Sequence, residues 1–190
     1  MKMNIKRSYF IFLIVLIMYV TFVNVSLGIE VNPTKEQIVE TINYGEANPG
    51  KKIFKTELVA PATFGNWPKF GSGLIKSKLI VLAVMSAMIK KAKKKITEEE
   101  VKAIMGSDDL TISYRGGTNV YKIKLRQGVK VIEPKEMMKP EMKDIDPAKH
   151  AVFIMASYPY SDLDLSAKTF VMIVKDFGTN EYEVDFSKIK

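Results

Sequence analysis

From Asp109 onward, apolar and polar residues alternate along the chain. Leu110, Ile112 and Tyr114 are interleaved with Thr111, Ser113 and Arg115; beyond Gly116-Gly117, Tyr121, Ile123 and Leu125 are interleaved with Lys122, Lys124 and Arg126. Neighbouring side chains of a strand point to opposite faces. The pattern therefore predicts a β-hairpin with one buried and one cationic face, turned by the glycine pair. Gln127-Gly128 turns the chain again into a strand over 129–132, which Pro134 ends. Residues 133–150 carry three prolines and mixed charge and read as a long exposed loop. Residues 151–157 are apolar enough for a central strand. Residues 169–175 and 181–186 form a last hairpin around 176–180, with Tyr182, Val184 and Phe186 facing inward.

Upstream of Asp109 the periods are longer. Asn32-Pro33-Thr34 opens a short helix that either Asn32 or Thr34 caps, with Glu36 at its positive end. Ile38, Val39 and Ile42 give it an apolar stripe, Gly45 ends it, and Asn48-Pro49-Gly50 turns the chain. Residues 52–60, with Ile53, Phe54, Leu58 and Val59, read as a strand, and 61–73 as a loop rich in Gly, Pro and aromatics. Between Leu79 and Ile89 the only polar residue is Ser86, so periodicity cannot separate helix from strand there. The alanines and methionines and the length of the run favour a buried helix over 77–95 with a lysine-rich tail. Thr97 and Glu100 have the spacing of a capping box for a short helix that ends at Gly106.

Together these segments predict a mainly β chain of about seven short, mostly antiparallel strands. The expected architecture is an immunoglobulin-like β-sandwich with a short N-terminal helix and a helical insertion at about 77–105. The alternative is an α+β fold with one antiparallel sheet covered by those helices.

The N-terminus changes this picture. Lys2, Lys6 and Arg7 precede a nearly continuous apolar run over 9–25, and small residues follow at Ser26 and Gly28. That order is the order of a secretory signal, with a cut expected between Gly28 and Ile29. The competing reading is an uncleaved anchor; the apolar run is at the short edge for spanning ~30 Å of hydrocarbon. Either way the remaining chain, one domain over 29–190, is expected outside the cytoplasm of a bacterial-type cell, in the periplasm or beyond. Without residues 1–28 the chain keeps 26 basic and 21 acidic residues, net +5. That bias favours anionic surfaces in general and indicates no nucleic-acid partner. The chain has no cysteine, which excludes disulfides, thiolate metal sites and Cys nucleophiles. Its one histidine, His150, excludes any site needing two.

Candidate chemistry is sparse. Gly45 to Lys51 spells G-x-x-x-x-G-K, but Lys52 stands where a phosphate loop needs Ser or Thr, and a helix precedes it. Asp162, Asp164 and Ser166 alternate like calcium ligands, yet lack the Gly bend and distal carboxylate, which favours a polar turn. His150 has Asp144 and Asp146 nearby but no serine in a nucleophile-elbow context. Glu133, Glu136, Glu141 and Asp185 are the carboxylates a glycosidase would need, without a crowd of aromatics for sugar stacking. Lys90 to Lys95 has the charge to hold anionic headgroups, or is simply a solvated helix end next to Glu98 to Glu100. Phe64, Trp67 and Phe70 stand among glycines and prolines, where they either anchor a partner or plug one end of the sandwich.

The expected function is accordingly a non-enzymatic periplasmic or cell-surface interaction module without a cofactor or metal. Phe64, Trp67 and Phe70 are its expected anchors, and Lys122, Lys124 and Arg126 its electrostatic rim. The partner expected is an envelope protein or an anionic surface. A carrier of a small apolar ligand or lipid, with residues 79–89 lining its cavity, is the alternative, and an envelope hydrolase ranks third.

Overall fold

The computed structural model describes residues 28–140 and 151–190. Residues 1–27 of the signal segment, Glu141, Asp144, Asp146 and His150 lie outside them. Among the described residues, two antiparallel sheets and three α-helices make a β-rich α+β fold. The first sheet has the order β1 (Thr63–Phe64), β2 (Ser72–Lys76), β3 (Asp109–Gly116), β7 (Val152–Pro159), β6 (Glu136–Met138). The second has the order β5 (Lys130–Ile132), β4 (Val120–Gln127), β8 (Lys168–Lys175), β9 (Gly178–Asp185). The helices are α1 (Lys35–Ala47), α2 (Lys78–Lys91) and α3 (Glu98–Met105).

The helix signals are read correctly in the main. Thr34 and Thr97 both close capping boxes, the first with Gln37 and the second with Glu100. Ser77 caps α2, whose apolar run is helical as the alanines and methionines indicate. Helix α2 ends earlier than expected, at Lys91. Lys94 N–H bonds back to the Ile89 carbonyl, and Lys93 takes the left-handed φ of 59° that such a cap demands. Gly45 does not end α1. It lies inside the helix because a Cβ there would come within 2.4 Å of the Ala83 carbonyl oxygen on α2. The glycine is a close-packing residue between two helices, not a stop.

Four strand expectations are corrected. Residues 52–60 are not a strand: they wind through a 3-10 segment at Gly50–Lys55 into another at Ala60–Ala62. Ile53 and Val59 are buried, and the Thr56 hydroxyl donates to the Ile53 carbonyl at 2.7 Å. The loop expected over 61–73 contains β1 and the start of β2, a strand with four of its five residues buried. The loop expected at 133–150 contains β6, paired with β7.

The fourth correction concerns topology. β3 and β4 are not a hairpin. β3 pairs with β2 and β7, whereas β4 pairs with β5 and β8 in the other sheet. A tight two-residue hairpin turn needs φ above zero, and neither Gly116 nor Gly117 has it, so the chain crosses between sheets instead. Gly128, with φ 58°, does turn β4 into β5. The register of β4 slips between Val120 and Lys122. This bulge puts Tyr121 outward and half-exposed, and Val120 takes the inward place expected of it.

One apolar cluster joins the parts. It takes Ile112, Tyr114, Ile154 and Tyr158 from the first sheet and Ile123, Leu125, Val171 and Ile173 from the second, with Ile80, Ala83 and Ala87 from α2. The sheets are also tied by polar contacts. Tyr158 Oη donates to the Ile123 carbonyl at 2.7 Å, and Tyr182 Oη donates to the Gly71 carbonyl at 2.8 Å. The last hairpin is tighter than expected. Pairing continues to Lys175 and Gly178, so only Asp176 and Phe177 form the turn, and Phe186 lies in a 3-10 turn after the strand. Val184 and Phe186 are buried and Tyr182 is half-buried.

Candidate functional site

The aromatic loop divides into three environments. Phe64 is 4% exposed, stacked on Tyr114 at 6.4 Å and tilted against Tyr182 at 5.1 Å. It is a core residue. Trp67 is half-buried, edge-on to both Phe54 and Phe153 at 5.9 and 6.2 Å. Its indole nitrogen is buried without a hydrogen-bond partner among the described residues. Phe70 is 58% exposed.

Phe153, which the sequence reading missed, completes the exposed surface at 53% exposure. Tyr158 faces the second sheet, so alternation along β7 puts Phe153 on the opposite face, where Trp67 meets it. Its neighbour on β3 is Arg115, whose guanidinium lies 5.9 Å from the Phe153 ring centroid. Arg115 also donates to the Pro68 carbonyl at 2.7 Å and so fixes the loop against the sheet. Gly71 N–H donates to the Arg115 carbonyl at 2.8 Å. Trp67, Arg115 and Phe153 thus form one aromatic surface, and the exposed Phe70 follows Trp67 in the same loop with its ring edge beside Gly117. The available signal was Phe153 itself, a large aromatic at an outward position of an otherwise inward-alternating strand.

The cationic residues of β4 lie elsewhere, on the outer face of the second sheet. Lys122 and Lys124 both pair with Glu133, at 2.8 and 2.7 Å. Hydrogen bonds from Lys122 and Lys124 hold the Glu133 carboxyl below the usual range. Arg126 pairs with Glu181 at 2.8 Å and lies over the Phe170 ring at 4.2 Å. The strip is therefore largely neutralised within the chain. The structure does not bring it together with the aromatic surface.

The other candidates are also accounted for where they are described. Asp164 accepts from Ser166 N–H and Oγ, and these bonds lower its carboxyl. Asp185 caps Ser187 in the same way. Among the described residues, no three acidic or imidazole side chains are grouped to hold a metal. Lys90 pairs with Glu46. Of residues 79–89, Leu79 lines a ~530 Å³ cleft edged by charged side chains; much of the rest of that apolar run is spent on the core. No described helix is long and apolar enough to cross a membrane. No family model, curated protein or solved structure matches the chain.

Proposed function

We propose that this protein is a non-enzymatic interaction module of the cell envelope, exported by its N-terminal segment, that captures a protein partner on the Phe70–Trp67–Arg115–Phe153 surface. The observation that carries this reading is the exposure of two phenylalanines beside a half-buried tryptophan. Exposed large aromatics cost free energy unless a partner covers them, and aromatic and arginine side chains dominate binding hot spots. Arg115, fixed by Pro68 and Phe153, adds a pre-positioned cation, so little ordering entropy is lost on binding.

Export rests on the charge, apolar run and small residues of positions 1–28. We read the body as an immunoglobulin-like sandwich. Its support is the shared core and the Tyr158–Ile123 bond between sheets. The carrier of an apolar ligand has less support, because the cleft that Leu79 lines has five charged side chains at its edge.

Crosslinking in intact cells that express the full chain, followed by capture and mass spectrometry, tests the reading. A near-stoichiometric envelope protein is expected with the native sequence and is lost in Phe70→Ala/Phe153→Ala. Equal recovery by the double variant overturns the assigned surface, and no reproducible partner overturns the module.

A further inference from the structure

We infer that six exposed lysines beside the end of α2, Lys51, Lys52, Lys55, Lys91, Lys93 and Lys94, form a ridge that docks on an anionic lipid bilayer. The ridge is distinct from the Phe70–Trp67–Arg115–Phe153 surface. The choice of a bilayer rests on the export reading, which puts the chain beside a membrane.

The six come from two segments that lie far apart in sequence. In the 3-10 segment Gly50–Lys55, Ile53 is fully buried. Lys52 and Lys55, three residues apart, share the outer side, and Lys51 is exposed next to them. This segment packs against α2. The approach is close: a Cβ on Gly50 would come within 2.7 Å of the Lys91 side chain, so the aliphatic stem of Lys91 lies across the glycine. Past Lys91, the left-handed Lys93 and the bond from Lys94 N–H to the Ile89 carbonyl turn the chain back over the last turn of α2. Lys93 and Lys94 are thereby kept at the same end.

The observation that points to a partner is that this charge is uncompensated. None of the six lysines has an ion pair among the described residues. The acids that flank the two segments in sequence are engaged elsewhere. Glu46 pairs with Lys90 at 2.9 Å, Glu98 shares a hollow with Lys95, and Glu57 lines the cleft that holds Lys188 and Lys190. The negative end of the α2 dipole accounts for cations in its last turn, but not for Lys51, Lys52 and Lys55. Like charges gathered this way repel one another, and an anionic surface relieves the repulsion. Lysine ammoniums are compact point charges on flexible stems, suited to a field of mobile headgroups rather than to one fixed carboxylate. Clusters of about four to eight basic residues are the size that anionic membranes hold. Met88, 36% exposed, stands three residues before Lys91 on the same face of α2 and gives the ridge an apolar side chain at the headgroup boundary.

Protein recovered from cells expressing the full chain is sedimented with vesicles of phosphatidylglycerol and phosphatidylethanolamine, or of phosphatidylcholine alone. Binding is expected to the first and not to the second, and should disappear in about 1 M salt. Lys51→Gln/Lys52→Gln/Lys94→Gln should bind about a hundredfold more weakly, at about fivefold for each lysine removed. Lys35→Gln/Lys139→Gln/Lys168→Gln removes the same charge from exposed positions elsewhere and should change binding by less than about threefold. Both triple variants alter exposed side chains and should keep the native thermal midpoint. No binding to the anionic vesicles, or an equal loss in both triple variants, would overturn the ridge. Retention on poly-L-glutamate without binding to the vesicles would give the ridge to an acidic protein and overturn the bilayer. Phe70→Ala/Phe153→Ala is expected to sediment like the native chain, so the ridge and the protein-capturing surface fail independently. Loss of sedimentation in that double variant would overturn the ridge as the point of contact.

Discussion

The Tyr158 hydroxyl donates to the Ile123 carbonyl at 2.7 Å, joining β7 of one sheet to β4 of the other inside the core. Both residues are fully buried. Tyr158→Phe keeps the ring and leaves the carbonyl unpartnered, so we expect a loss of about 1–3 kcal/mol. Urea unfolding checks it. A change below about 0.5 kcal/mol would mean that the bond adds nothing to the union of the sheets.

Burial pushes Tyr114 and Tyr160 up to about 12, and raises Tyr158 as well. In the unfolded chain these phenols ionise near pH 10. The folded state therefore binds more protons above that pH. Their stabilising contribution is complete below about pH 10 and falls as pH rises toward about 12. Urea midpoints taken across this window should decline together with the appearance of phenolate absorbance. A flat profile would contradict the burial of these rings.

Gly45 and Lys93 test the two helix joints in opposite directions. An alanine inside an exposed helix stabilises relative to glycine by roughly 1 kcal/mol. At Gly45 the sign should reverse, with a loss of about 1–3 kcal/mol, because the new methyl meets the Ala83 carbonyl. Lys93→Gly should stabilise by about 1 kcal/mol, since glycine adopts the left-handed cap of α2 without a Cβ clash. Thermal or urea unfolding of both variants decides it.

Phe64 and Phe70 should separate stability from binding. Phe64→Ala empties a core site and should cost about 3–5 kcal/mol. Phe70→Ala removes an exposed ring and should change stability by less than about 0.5 kcal/mol while reducing partner capture. Unfolding curves and the capture assay, run on the same pair, distinguish the roles.

Glu133 is the charge that screens β4. Glu133→Gln frees Lys122 and Lys124. Stability should hardly move, because exposed ion pairs contribute little. Retention on a polyanionic resin should increase at low salt, and the increase should vanish as salt screens the strip. Unchanged retention would show that β4 contacts no anionic surface.

Local chemistry made part of this protein legible in the sequence. Thr97 with Glu100, Thr34 before its helix, Gly128 after Gln127 and the alternation over 181–186 each act through neighbours a few residues away. Such signals need no knowledge of the rest of the chain. The sequence therefore determined the main helices, most strands and the antiparallel last hairpin. What pairs with what was decided only in three dimensions. β3 and β4 are close in sequence and alternate alike, but β3 is claimed on both edges by β2 and β7. Gly45 reads as a helix stop until Ala83 of another helix is placed against it. The same limit governed the candidate site. Phe64, Trp67 and Phe70 are equal in sequence, and the burial of the first two is set by Tyr114, Phe54 and Phe153, between 13 and 86 residues away along the chain. Burial is a property of packed surfaces, and only tertiary structure brings those surfaces together.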